Sequence, residues 1–415
     1  MFDRAGLIEG QVNLCLDRIK PVTTTKRSNG WPVSPTNAPT NLEDGTMQDD
    51  RAMSITGGRS GEGKEAATEW KLTRRQNLKE TMTGGHPERF VNQYEFMTQV
   101  FDPIFIGTGG PMRGQMEVTN AWGVVASWKE EWIGQMPVHT PDKIVIKDID
   151  DWKEYVHHPN LDYPEAAWEP AIAAAEAVDR NDKYVAAVQI PGIFEQAHHL
   201  GEIKNILMAF YESPDELKDL FKYITDYELQ KAERVIAHIH PDALFHHDDW
   251  GSQTSTFISP EMFDEFLTPL YKEVYKYWHD NGVELIVHHS DSYAATLVPS
   301  MIEMGIDIWQ GVMTTNNIPE LIKKYGKDIT FMGGIDSATI DYPEWKREDV
   351  AREVARACEE CGPYYFIPSA SQGGDYSSFD GVYDATTEEI DKYSKVYWAE
   401  HHVGEPDEDV RGVVS

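Results

Sequence analysis

Along the chain, short runs of β-branched and aromatic residues alternate with longer stretches whose apolar residues recur every three or four positions. The short runs are 89–96, 184–190, 243–247, 284–288, 306–312, 329–333 and 364–367. Helical patterns fill 166–178, 214–238, 260–281, 294–304 and 345–361. In 260–281, Phe263, Phe266, Leu267, Leu270, Val274 and Tyr277 make one apolar stripe. An earlier helix is expected to open at Thr73, whose hydroxyl can cap it. Leu78 and Met82 recur on one side of it, and Gly84-Gly85-His86-Pro87 ends it. Strand–helix alternation with short junctions reads as βα units around a parallel sheet. Seven strand candidates with their helices suit an α/β fold of the (β/α)8 TIM-type barrel class better than an open sheet. No glycine-rich nucleotide fingerprint follows any of the runs.

Two stretches break the rhythm. Residues 21–64 are dominated by Thr, Ser, Asn, Gly, Pro and Asp, and such a stretch cannot offset its ordering entropy by burial. Residues 1–66 are therefore expected to be an N-terminal extension, poorly structured or wrapping, ahead of a barrel over 67–415. Between 101 and 159 stand Trp122, Trp128, Trp132, Trp152 and Tyr155. This aromatic-rich insertion near one barrel rim either closes over an aromatic ligand or builds a second small core.

Charge narrows the partners. The chain carries 37 Lys+Arg against 70 Asp+Glu, a net −33, which repels nucleic acid and anionic lipid alike. Three cysteines, Cys15, Cys358 and Cys361, cannot staple a chain of this size, and no apolar stretch reaches the ~18 residues of a bilayer span. A cytoplasmic home is expected. Cys358 and Cys361 fall at a helix end facing the opposite rim from the strand C-termini, without a second such pair, so a structural role is expected.

In a parallel barrel, chemistry gathers at the C-terminal ends of the strands. Tyr94 and Glu95 follow the first run. Gln189 follows the second, with Glu195 and His198-His199 beyond it. Next come His246-His247-Asp248-Asp249-Trp250 with Gln253, then His288-His289-Ser290-Asp291. Gln310, Asp336 and Ser369, Ser371 and Gln372 follow the last three. Alternation lets only one His of each doublet face the barrel axis. His289 and Asp291, two apart, point the same way. An imidazole and a carboxylate at that spacing suit a metal ion or a hydrogen-bonded pair closing a loop.

These segments resemble the uroporphyrinogen decarboxylase superfamily, more closely its corrinoid-dependent methyltransferase branch, over roughly 72–400. The resemblance is carried by Leu72-Thr73-Arg74-Arg75-Gln76-Asn77, Pro137-Val138-His139 and Asp148-Ile149-Asp150-Asp151-Trp152. Further along, it rests on Asp248-Asp249-Trp250-Gly251-Ser252-Gln253, His288-His289-Ser290-Asp291 and Met332-Gly333-Gly334-Ile335-Asp336. It implies a barrel enzyme of O-demethylase type. Such an enzyme takes a methyl group from a small donor, for example a methoxylated aromatic, and passes it to a corrinoid protein. The alternative is a lyase that decarboxylates a porphyrinogen or another carboxylated ring. True decarboxylases, however, grip propionates with an arginine-rich N-terminal segment that is not visible here. A third reading is a binding module that kept the barrel and lost its chemistry.

The methyltransferase branch holds zinc with a His-X-Cys motif and a later cysteine. Here His289 matches the histidine, Asp291 stands at the first cysteine position, and serines stand near the second. An oxygen/nitrogen site suits an ether or alcohol oxygen rather than a thiol. The expected metal ligands are His289 and Asp291, with a third from His246, His247 or Asp249. Binding should fade as His289 protonates near its ordinary pKa of about 6.5. Asp248, Asp249 and His289 are the expected catalytic residues. Tyr94, Glu95, Gln189, His246, His247, Trp250, Gln253, Gln310 and Asp336 are expected to bind substrate. The expected partners are the methyl donor and the corrinoid protein, with neither nucleic acid nor membrane; a homodimer is compatible with this picture.

Overall fold

Strands buried on both faces need apolar residues at both parities, and Ala243-Leu244-Phe245 and Leu285-Ile286-Val287 supply them. In the computed structural model, which describes residues 70–132 and 134–401, such runs form the central sheet. In chain order the strands are β1 Met97–Val100, β2 Val118–Thr119, β3 Val125–Ser127, β4 Met136–Pro137 and β5 Tyr184–Gln189. They continue with β6 Ala243–His247, β7 Leu285–His289, β8 Ile308–Val312, β9 Thr330–Ile335 and β10 Phe366–Ala370. Seven of them pair in parallel in the order β1-β5-β6-β7-β8-β9-β10. This curled parallel sheet, with helices between its strands, is consistent with a TIM-type barrel.

Parity sorts the core into two. Tyr184, Ala186, Val188, Ala243, Phe245, Leu285, Val287, Ile308, Met332 and Ile367 pack inside the curl. Val185, Ala187, Leu244, Ile286, Trp309, Phe331 and Phe366 pack outward, under the helices. The long helix Pro214–Ile239 covers this outer layer with Leu217, Leu220, Phe221 and Ile224, all fully buried.

Several expectations are corrected. The run 89–96 is not a strand; β1 starts only at Met97. Gln93 takes a left-handed φ of 49°, and the Asn92 and Gln93 side chains bind helix Val382–His401 at Thr387 and Asp391. A single backbone bond, Gln93 N–H to Pro368 O at 3.3 Å, ties the segment to β10. The helical pattern 260–281 splits into Pro260–Phe266 and Thr268–Asp280. Pro269 lacks the N–H a continuous helix requires and would clash with the preceding turn. Pro299 does the same in 294–304, leaving a 3-10 turn at Ala295–Leu297 before helix Val298–Met304.

The cap at Thr73 forms as a reciprocal box with Gln76, and Gly84 ends the helix Arg74–Thr83. In the aromatic-rich segment, β2, β3 and β4 make a small antiparallel sheet. Trp122 and Trp152 are buried against Tyr227 and Tyr223, at ring-centroid distances of 4.9 and 5.3 Å. These two tryptophans serve packing on the long helix, not ligand stacking. Burial pushes the Cys358 thiol up and the Cys361 thiol to about 12, so neither is a thiolate. Cys15 and the expected extension over 1–66 lie outside the described residues. Among the described residues, no helix is long and apolar enough to cross a membrane.

β8 changes parity partway. Its pairing with β9 shifts between Gln310 and Val312, so Ile308 and Gln310 face inward while Val312 joins the outer core. The shift turns on Gly311, whose φ is 93° and whose missing side chain lets the strand lie against Ser290. A Cβ there would sit 2.9 Å from the Ser290 carbonyl. Gly311→Ala is expected to cost about 1–3 kcal/mol through backbone strain and this clash. Urea denaturation measures the loss; an unchanged midpoint would contradict the bulge as described.

Candidate active site

The alternation that sorts the core also splits each histidine doublet. His247 ends β6 on the inward parity of Ala243 and Phe245, and His289 ends β7 on that of Leu285 and Val287. The two are register partners, and Gln310 of β8 is in register with His289. The imidazoles stack with centroids 4.2 Å apart. His246 and His288 take the outward parity and are fully buried under the helices. His246 Nε2 meets Glu228 Oε2 at 3.1 Å. His288 donates from Nε2 to the Asp248 carbonyl at 3.1 Å and accepts from the Tyr275 hydroxyl at 2.7 Å.

Asp248 also belongs to the outer layer. Its carboxylate accepts the N–H groups of Phe194 and Glu195 at 2.8 and 2.9 Å, and the Tyr271 hydroxyl as well. It thereby clamps the start of helix Ile193–Gly201 onto the end of β6. Gly192 makes the approach feasible, because a Cβ there would sit 2.5 Å from the His246 ring and 2.7 Å from Asp248. The clamp brings Glu195 to the inward cluster. Its Oε2 lies 3.2 Å from His247 Nε2, out of line for a hydrogen bond, and its Oε1 lies 3.9 Å from His199 Nε2.

His247, Asp249 and His289 each offer a ligand atom within 4.8 Å of the others'. Asp249 Oδ1 accepts the Asp291 N–H at 2.9 Å, and its Oδ2 lies 3.7 Å from His247 Nε2. His289 donates from Nδ1 to the Gln310 amide oxygen, which leaves the lone pair on Nε2. Two imidazoles and a carboxylate, one imidazole with its tautomer set from behind, are a donor set that fits zinc once the ion displaces the proton held on His247. Further buried polar atoms around it, Gln310 Nε2 and Glu195 Oε2, have no hydrogen-bond partner.

Electrostatics divide the labour. Burial opposes charge on His247, but Glu195 and Asp249 outweigh it and hold the imidazole protonated well above the usual histidine range. Burial, with His247 beside it, depresses His289 to about 4, so this ring is neutral at physiological pH. The expectation that binding fades near pH 6.5 as His289 protonates is therefore corrected: the proton that competes with a cation is the one on His247. Burial would raise Asp249, yet hydrogen bonding to and charge from His247, with His289 adding to them, pull it far below the usual carboxylate range. Burial and the charge of Asp249 push Asp291 well up, so it carries a proton.

Of the other residues singled out in the sequence, Asp291 and Tyr94 stay near the cluster and the rest are dispersed. Asp291 lies beside Asp249, outside the three-residue donor set. The Tyr94 ring packs 6.1 Å from Phe245, with its hydroxyl buried and unpartnered. Glu95 pairs with Arg89 and Arg74 at 3.5 and 3.8 Å. Gln189 turns to the outer layer and donates to Pro191 O. Trp250 stacks on His288, 4.0 Å between centroids. Gln253 is exposed in a loop, and Asp336 caps helix Ser337–Ile340. Glu195 was not among the residues expected to act; its one signal was its position, just past a strand end and followed by two histidines.

Asp248→Ala leaves the Glu195 N–H without an acceptor and the Phe194 N–H with only a long contact to the Tyr271 hydroxyl, and the expected loss of stability is on the order of 2–4 kcal/mol. Chemical denaturation reads it, and a change under about 0.5 kcal/mol, the range of neutral surface substitutions, would contradict the clamp.

A methyltransferase from Methanosarcina mazei superposes with a TM-score of 0.54 at 14% identity, over 78% of this chain and 99% of that one. At this identity the match speaks for the fold. A structure described as a vitamin-B12 independent methionine synthase from Listeria monocytogenes gives 0.36 at 17% identity, over 60% of this chain and 72% of that one. That score carries no argument. Among curated proteins, none matches the chain. The family model described as uroporphyrinogen decarboxylase (URO-D) matches residues 135–371, more than half of the sequence and the part that holds β5 to β10 with every member of the cluster. The chain belongs to the uroporphyrinogen decarboxylase family.

Proposed function

We propose that this protein is a methyltransferase that removes a methyl group from an oxygen of a small donor, such as a methoxylated aromatic, and passes it to a corrinoid protein. The observation that carries this reading is the inward His247–Asp249–His289 set with Asp291 beside it. The likeness in fold to a methyltransferase agrees with it. The ion pairs of Glu195 and Asp249 are with histidines. A polycarboxylate porphyrinogen calls for cationic clamps instead, which disfavours the decarboxylase reading.

The obstacle to O-demethylation is the leaving oxygen, a poor anion that must be stabilised as its bond to carbon breaks. Zinc held by His247, Asp249 and His289 would act there as a Lewis acid. Gln310 holds His289 in the tautomer that presents Nε2 inward. Asp291, whose backbone N–H is bound by Asp249, stands beside the set as the acid that would protonate the departing oxygen. Asp249, being ionised, cannot donate a proton, and Asp248 is occupied as a clamp. In this reading neither is the proton donor.

The test mixes the protein, a reduced corrinoid protein and a panel of methoxylated aromatics, and follows the absorbance of the methylated corrinoid. The expected result is methylation that requires metal, disappears in His289→Ala and falls ~10–100-fold in Gln310→Ala. Asp291→Asn should slow donors with basic leaving oxygens more than donors with acidic ones. No transfer across a broad panel with a competent acceptor would overturn the proposal. Carbon dioxide release from a porphyrinogen that survives chelation would establish the lyase in its place.

A further inference from the structure

Helix Ile193–Gly201 carries a second group of ligand-type side chains. Glu195, His198 and His199 are spaced i, i+3 and i+4, so they share one helix face. Each offers a ligand atom within 4.8 Å of the others'. This group touches the first one. Glu195 extends Oε1 toward His199 Nε2 at 3.9 Å and Oε2 toward His247 Nε2 at 3.2 Å. The Oε2 atom is buried and, beyond its ion pair with His247, has no well-aligned hydrogen bond, which leaves it lone pairs to offer a cation.

The surroundings favour a cation over a hydrogen-bond network. The rings of His198 and His199 stand 4.9 Å apart, edge to face, each with a ring nitrogen in reach of the Glu195 carboxylate. The charge of Asp249 reaches both of them as well as His247 and His289. His139, from the segment after β4, fixes the backbone by meeting the His199 carbonyl at 3.0 Å. Asp248 anchors the other end of the helix, at Phe194 and Glu195. The three side chains thus project from a helix held at both ends, which is what a pre-formed site requires.

We propose that Glu195, His198 and His199 form a second divalent-cation site of zinc-like character, joined to the His247–Asp249–His289 site by Glu195 as a shared carboxylate. The donor types, two imidazoles and a carboxylate, suit a borderline ion such as zinc. A carboxylate between two cations is the usual way to hold them close enough to act on one oxygen-bearing substrate. The inference rests on the first set being a metal site, and it deepens the proposed function by giving the donor's oxygen substituents two cations to meet.

The test uses the full chain, stripped with a chelator, dialysed against zinc and analysed for metal per chain. The parent is expected to hold about two ions, on the precedent of two-metal sites. His198→Ala/His199→Ala and His289→Ala should each keep about one, and Glu195→Gln should bind more weakly at both. Circular dichroism checks that each variant is folded. Should the double variant unfold, His199→Gln, which keeps size and helix propensity, is expected to give the same stoichiometry. A parent that holds one ion, lost only in His289→Ala, overturns the second site and leaves the proposed methyl transfer standing. A parent that holds two ions, both retained in the double variant, also overturns it, as does a parent that holds none. Two ions lost as expected, with no methyl transfer to any acceptor, would keep this inference and remove the functional reading.

Discussion

Adjacent residues on a β-strand face opposite sides, and nearly everything at this site follows from that one constraint. His246-His247 and His288-His289 are each one inward and one outward imidazole. The inward pair meets across neighbouring strands and stacks; the outward pair is sealed under the helices. Had either strand slipped by one residue, the cluster would turn to the outer layer and Glu228 would face a different ring. The apolar residues of β6 and β7 forbid that slip, since they would have to exchange cores at the same time.

The outward members shape the site as firmly as the inward ones. His288 and Trp250 stack, Tyr271 and Tyr275 hydrogen-bond behind them, and Asp248 reaches over to hold the helix start. That contact turns a strand end into a fixed platform for Glu195, so the acidic member arrives from a helix while its basic partner arrives from the sheet. The bulge at Gly311 serves the same end. It keeps Gln310 inward behind His289 while returning Val312 to the hydrophobic layer. An oxygen- and nitrogen-lined cluster of this kind suits a divalent cation without sulfur, and oxygen-lined sites suit oxygen chemistry.

Much of this was legible in the chain. The runs at 184–190, 243–247 and 284–288 fall within a residue of β5, β6 and β7, because strands buried on both faces leave a dense apolar signature. The run at 89–96 misled for a physical reason: Val91 and Phe96 pack inward and Phe90 against Tyr397 and Trp398, while Asn92 and Gln93 spend their hydrogen bonds on that same helix nearly three hundred positions away. His289 could be singled out because a resemblance pointed to it. Parity said that one histidine of each doublet faces inward, but not which, since that depends on register with neighbouring strands. Glu195 stayed hidden because its contact with His247 spans more than fifty residues and depends on how Asp248 captures the helix. Asp248 and Asp249 looked alike in the sequence; their opposite fates come from burial on opposite faces.

The central claim is that a metal ion sits at the strand ends with nitrogen and oxygen donors supplied by His247, Asp249 and His289. X-ray absorption at the zinc edge of the metal-loaded protein tests this most directly. The account requires imidazole scattering and a shell of light atoms at about 2.0–2.2 Å, with none of the sulfur scattering at about 2.3 Å that thiolate ligation produces. It also requires the imidazole signal to weaken when His289 is replaced. A sulfur shell, or a zinc environment unchanged in His289→Ala, would contradict it.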